Sequence, residues 1–138
     1  LCIDVGHKRI GLAGCDPLGI TITPLPAIKR GKIINDINIL KGYCKKRNVS
    51  GLVVGLPLDE TGKLTKQANY CKKYGLKVSK MLNLPISFVN EHSSTWLAAE
   101  NHHLHSDRSG KLDSASAAEL LKQWLYEGPE FEQFNLLV

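Results

Sequence analysis

The sequence predicts an α/β domain: a mixed five-stranded sheet, three antiparallel strands first and parallel strands after them, with helices on both faces. Two patterns carry this reading. Residues 1–28 hold three apolar segments separated by turn residues. From residue 32 onward, stripes at helical spacing alternate with short continuous apolar runs. Length agrees, because 138 residues, 43% of them hydrophobic, can close a single core without disulfide or metal support.

Leu1–Val5 is a short apolar strand and Ile10–Cys15 a second, joined through Gly6-His7-Lys8-Arg9 as a hairpin. Asp16-Pro17-Leu18-Gly19 is a turn. Ile20–Ile28 contains Pro24 and Pro26 and reads as an edge strand, since proline lacks the N–H that a central strand must donate. Ile33, Ile37, Leu40 and Cys44 share one face of a helix from about Lys32 to Arg47. Leu52–Leu56 is apolar throughout, as in a strand buried on both faces, and Pro57 ends it. Leu64, Ala68, Cys71, Gly75, Val78 and Leu82 form the inner stripe of a second helix, whose outer face is rich in lysine. Pro85–Val89 is the fifth strand. A short helix from about Thr95 to His103, capped by Ser93 or Ser94, and a polar loop over His105–Lys111 follow. The last helix runs from about Ser114 to Tyr126, with Ala117, Leu120, Leu121 and Trp124 inward, and Gly128-Pro129 stops it. The single domain thus spans 1–138, with a tail over about 128–138. Its order, βββ-α-β-α-β-α-α, is that of ribonuclease H-like domains.

Composition narrows the function. No apolar run reaches the ~18 residues of a membrane span, and no basic-then-apolar leader is visible, so the expectation is a bacterial cytoplasm or an organelle matrix. Cys2, Cys15, Cys44 and Cys71 show no C-x-x-C spacing and read as free thiols in a reducing compartment. The net charge of +5 divides unevenly: residues 1–80 carry +10 and residues 81–138 carry −5. Such a split suits a basic surface that meets a polyanion.

Three carboxylates stand out. Asp4 interrupts an apolar strand, where a charge is costly unless a cation or several donors neutralise it. Glu91 follows the fifth strand at its C-terminal end, where α/β sheets tend to bind ligands. Asp113 sits just before the last helix, a good N-cap position, and can serve as cap and ligand together. Gathered at one sheet edge, three such groups repel one another, and an oxygen-only set favours Mg²⁺ or Mn²⁺. Such a site polarises a phosphodiester and activates water.

Four motifs then resemble the YqgF/RuvX family, in order and at family spacing over about residues 1–127. They are Asp4-Val5-Gly6-His7-Lys8-Arg9-Ile10-Gly11-Leu12-Ala13 with Asp16-Pro17, Val54-Gly55-Leu56-Pro57-Leu58 with Gly62, Asn90-Glu91-His92-Ser93-Ser94-Thr95 with Ala98, and Asp113-Ser114-Ala115-Ser116-Ala117-Ala118 with Leu121. The resemblance implies a ribonuclease H-like fold related to the RuvC resolvases. It implies either maturation of the 5′ end of precursor small-subunit (16S) ribosomal RNA or resolution of Holliday junctions, four-way DNA structures that a dimer would cut symmetrically. A silent nucleic-acid-binding module is the third reading, and monomer and homodimer both stay open. The family's acidic, metal-holding site maps onto Asp4, Glu91 and Asp113. Arg9 matches its hairpin arginine, a bidentate partner for phosphate, with Lys8, His92 and Thr95 as further substrate contacts. This chain departs from the family at Asn90-Glu91-His92 and Ser93-Ser94-Thr95, where Asp-Glu-Arg and Leu-Thr-Thr are usual; weaker activity is expected.

Other signals carry less. His102, His103 and His105 diverge around a helix end, with no cysteine near to complete a zinc site. Neither a Walker A nor a G-x-G-x-x-G sequence occurs. Ser93 and Ser94 lack the elbow of a hydrolase nucleophile. Trp96 and Trp124 read as core, whereas Tyr70 and Tyr74, set among lysines, could either pack inward or stack on unpaired bases.

Overall fold

The structure is a computed structural model that describes residues 1–59, 61–91 and 110–128. Its strands are β1 (Cys2–Val5), β2 (Arg9–Cys15), β3 (Ile22–Lys29), β4 (Leu52–Pro57) and β5 (Ile86–Glu91). Its helices are α1 (Ile33–Arg47), α2 (Lys66–Leu82) and α3 (Lys111–Glu127). The strands lie in the order β3-β2-β1-β4-β5. The pairs β3–β2 and β2–β1 are antiparallel, while β1–β4 and β4–β5 are parallel. This is the predicted mixed sheet, with the proline-bearing strand at its edge. The predicted helix Thr95–His103 and the tail beyond Gly128 lie outside the described residues.

Four boundaries moved, each for a local reason. β3 starts at Ile22 because the Asp16 carboxylate accepts the N–H groups of Ile20 and Thr21, both at 2.7 Å, and holds them in the turn. Thr65 caps α2 by accepting from the Ala68 N–H at 3.0 Å. Leu64 therefore falls outside the helix, 48% exposed, bridged to Leu58; Tyr74 packs inward in its stead. β5 extends to Glu91, making that residue the strand's last rather than the first of a loop. α3 begins three residues earlier than expected, at Lys111, after a left-handed Gly110 (φ +93°). Asp113 is consequently not the cap; it sits inside the first turn.

Strand alternation sorts the core into two layers. Ile3, Val5, Ile10, Leu12, Leu52, Val54 and Ile86 point toward α1 and α2, meeting Ile37, Leu40, Cys71 and Val78. Cys2, Ala13, Val53 and Val89 point the other way, against Ala117, Ala118, Leu120 and Leu121 of α3. By the same parity Asp4 and Glu91 belong to the α3 face. All four cysteines are free, and no helix among the described residues is long and apolar enough to cross a membrane.

Candidate active site

The site begins with a close approach. Asp4 pairs with Gly11 across β1 and β2, and a Cβ at Gly11 would fall 1.9 Å from the Asp113 carbonyl oxygen. Only a residue with no side chain lets the first turn of α3 settle onto β2 at that point. Ser114 fastens the turn there. Its hydroxyl donates to the Leu25 carbonyl at 2.5 Å and accepts the Leu12 N–H at 3.3 Å, tying α3 to β3 and β2. Asp113 thus arrives beside Asp4 although 109 positions separate them in sequence, and its charge suits the positive end of the helix dipole. Glu91 enters from the C-terminal end of β5, paired with Pro57 of β4.

Electrostatics registers the gathering. The Asp4 carboxyl is pushed up to about 8, first by burial, then by the negative charges of Glu91 and Asp113. The buried Cys71 thiol of α2, whose Sγ lies 3.6 Å from the Val5 carbonyl, rises to about 11 through burial and then the charges of Asp4 and Glu91. Asp113 has a counter-charge: Arg9 Nε donates to its Oδ2 at 2.9 Å, in a pair about one-third exposed. Arg9, expected as a phosphate clamp, is therefore also the carboxylate's partner. Lys8 is exposed on the β1–β2 turn. His92 and Thr95, the other expected substrate contacts, lie outside the described residues, as do Ser93, Ser94, Trp96 and the three histidines at 102, 103 and 105.

Among the described residues, no three His, Cys, Asp or Glu side chains are drawn together tightly enough to share one ion. The chemistry of the donors nonetheless fits a divalent cation: carboxylate oxygens alone, with the half-buried Asp4 raised in proton affinity by the other two. A separate cleft of about 450 Å³ opens at the other end of the strands, against Gly14, Asp16, Arg47 and Trp124, and none of the three carboxylates lines it. Trp124 is packed as expected, its Nε1 donating to Ser87 Oγ at 2.9 Å. Gly11 and Ser114 stood in the family motifs, but their role in seating α3 was missed because their partners are about a hundred residues away; Arg30 was not singled out at all.

The family model "RuvX: Holliday junction resolvase" matches residues 1–127. A protein of Synechococcus sp. (strain CC9902) is 60% identical over 129 residues, spanning 94% of this chain and 79% of its own. One of Prochlorococcus marinus (strain MIT 9211) is 59% identical over 132 residues, spanning 96% and 91%. Both are named as candidate pre-16S rRNA nucleases. Among solved structures, Thermus thermophilus RuvC in complex with a Holliday junction substrate matches with a TM-score of 0.56 over 94% of this chain and 96% of that one, at 11% identity. The likeness to RuvC is one of fold, and it is the ribonuclease H-like fold that the element order predicted.

Proposed function

The chain belongs to the RuvX family, and from that premise we propose that it is a metal-dependent nuclease that hydrolyses phosphodiester bonds in the 5′-end maturation of precursor 16S rRNA. The observation that supports this reading is electrostatic: Glu91 and Asp113 each raise the proton affinity of Asp4. The substrate follows from the relatives' name, and the lysines of α2 suit a polyanion.

In this reading Asp4, Glu91 and Asp113 are the catalytic and metal-holding residues. Bound Mg²⁺ or Mn²⁺ would supply Lewis-acid polarisation of the phosphodiester and a more acidic water. The protein's own share is positional. β1 and β5 present Asp4 and Glu91 at one sheet face, and the Gly11 approach delivers Asp113. Arg9 balances Asp113 while offering a guanidinium to phosphate, and Lys8 adds charge on the adjacent turn. His92 follows Glu91 directly, Thr95 four residues on, and both are assigned to substrate. Cutting of four-way junctions is the second reading, favoured by the fold shared with RuvC.

The test is incubation with labelled precursor rRNA and, in parallel, junction DNA in Mg²⁺, with EDTA and Asp4→Asn as controls. Cleavage of the RNA that vanishes in both controls is the expected result. Preferential cutting of the junction would transfer the assignment to DNA. RNA bound but never cut would make the chain a silent module, and cleavage surviving Asp4→Asn would overturn the residue assignment.

A further inference from the structure

One cluster on the α1–α2 side of the sheet, around the β1–β2 turn, is left without a task by hydrolysis itself. Asp36, 2% exposed, accepts the Tyr74 hydroxyl at 3.2 Å and the Gly31 N–H at 3.3 Å. The Arg30 guanidinium carbon lies 4.9 Å from the Tyr74 ring centroid and 5.1 Å from that of Tyr70, within cation–π range of both. Its Nη1 donates to the Gly6 carbonyl at 2.9 Å, fixing it to the β1–β2 turn. The Tyr70 ring in turn lies beside His7, with centroids 6.5 Å apart and planes 23° from parallel. The result is a column, Tyr74–Arg30–Tyr70–His7, anchored inside on a buried carboxylate and ending outside on an exposed imidazole.

Tyr74 fulfils the inward reading of such aromatics. Tyr70 does not, being 40% exposed and flanked along α2 by the exposed Lys66 and Lys73 at helical spacing. Its outer neighbour, His7, is three residues from Asp4, so their backbones lie within roughly 10 Å of each other. An aromatic surface held rigid from behind, with cations on either side, at the end of the sheet where β1 leaves Asp4, is what single-stranded nucleic acid uses: bases on rings, phosphates on lysines. We propose that His7, backed by Tyr70, forms a ledge at the β1–β2 turn on which an unpaired base of the substrate strand stacks as the strand runs toward the phosphate to be cut. The proposal rests on the nuclease reading and deepens it, because it makes an unpaired nucleotide the recognised feature.

The test uses the intact chain in EDTA with two short RNA duplexes, one ending in an unpaired 2-aminopurine overhang and one blunt. Stacking terms of this kind correspond to roughly 5- to 100-fold in affinity. Tyr70→Leu and His7→Leu are each expected to weaken overhang binding by a factor in that range and to relieve the quenching of 2-aminopurine. Blunt-duplex affinity should not change, and Tyr70→Phe should bind like wild type. Equal overhang affinity in wild type and both Leu variants overturns the ledge, as does an equal loss on the blunt duplex. If Tyr70→Leu melts early, exposed His7 decides alone. If binding needs Mg²⁺, the KM values for the two RNAs take the place of the affinities. Wild type that neither binds nor cuts either RNA removes the nuclease reading, and the ledge with it; binding that ignores Tyr70 and His7 removes the ledge alone.

Discussion

The two faces of the sheet are built from different side chains and perform different work. Toward α1 and α2 the strands present Ile3, Val5, Ile10, Leu12, Leu52, Val54 and Ile86, bulky groups that remove large apolar areas from water. Toward α3 they present Cys2, Gly11, Ala13, Val53, Ser87 and Val89, met by Ser114, Ala117 and Ala118 near the helix start and by Leu120 and Leu121 farther along. The first face is a conventional core in which volume sets stability. The second, at the start of α3, gives up volume for proximity: Gly11 and Ser114 let the backbone of α3 close on β2, near enough for the Asp113 charge to raise the proton affinity of Asp4. Stability and chemistry are thus separated by the thickness of one sheet, and neighbouring residues on one strand belong to different tasks.

The strongest way to break this division is Gly11→Ala. The new methyl would collide with the Asp113 carbonyl, backbone rather than a flexible side chain, so the cost should reach the upper end of overpacking, about 3 kcal/mol. Cleavage should be lost even in the molecules that remain folded, because α3 must lift away from β2. Chemical denaturation beside single-turnover cleavage checks both; a variant that is destabilised yet cuts at the wild-type rate would show that the close approach serves packing alone.

Asp4→Asn separates charge from shape on the same face. Without divalent ions, folded Asp4 holds its proton to about 8, whereas the unfolded carboxyl titrates near 3.8. Between those values the unfolded chain has released a proton that the folded chain still carries, so stability falls as pH rises from about 4 to about 8, by a few kcal/mol in all. The Asn variant should lack that decline. Melting at pH 5 and pH 8 in EDTA tests it, and parallel slopes for the two proteins would defeat it. Adding Mg²⁺ at pH 8 should restore melting temperature to wild type more than to Asp4→Asn.

Ile3→Val marks the opposite face one residue away. It should cost about 1 kcal/mol, the usual price of one buried methylene, with the cleavage rate per folded molecule unchanged. A drop in rate matching that of Gly11→Ala would mean that the faces are not independent.

How much of this could be read from sequence follows from the range of each interaction. Asp4 announced itself because five residues suffice to see a charge inside an apolar strand, and Glu91 because a strand's end is a local signal. Gly11 looked like any glycine in a small-residue strand, since the helix it admits lies a hundred residues on. The start of α3 was misplaced because Gly110 caps it by backbone conformation and not by a side chain that could be recognised. Tyr70 was legible as an aromatic among lysines, but its column needed Arg30, forty residues earlier and noticeable only once the strands are assembled.

The smallest expected effect concerns His92, next to Glu91 in sequence and outside the described residues. An arginine there would be charged at every pH and could grip phosphate through two parallel donors, whereas an imidazole carries its charge only below about 6.5. His92→Arg should therefore raise cleavage of the same RNA a few-fold, about what one net hydrogen bond of ~1 kcal/mol supplies. Equal rates for the two proteins would show that the departure from the family's motif is neutral.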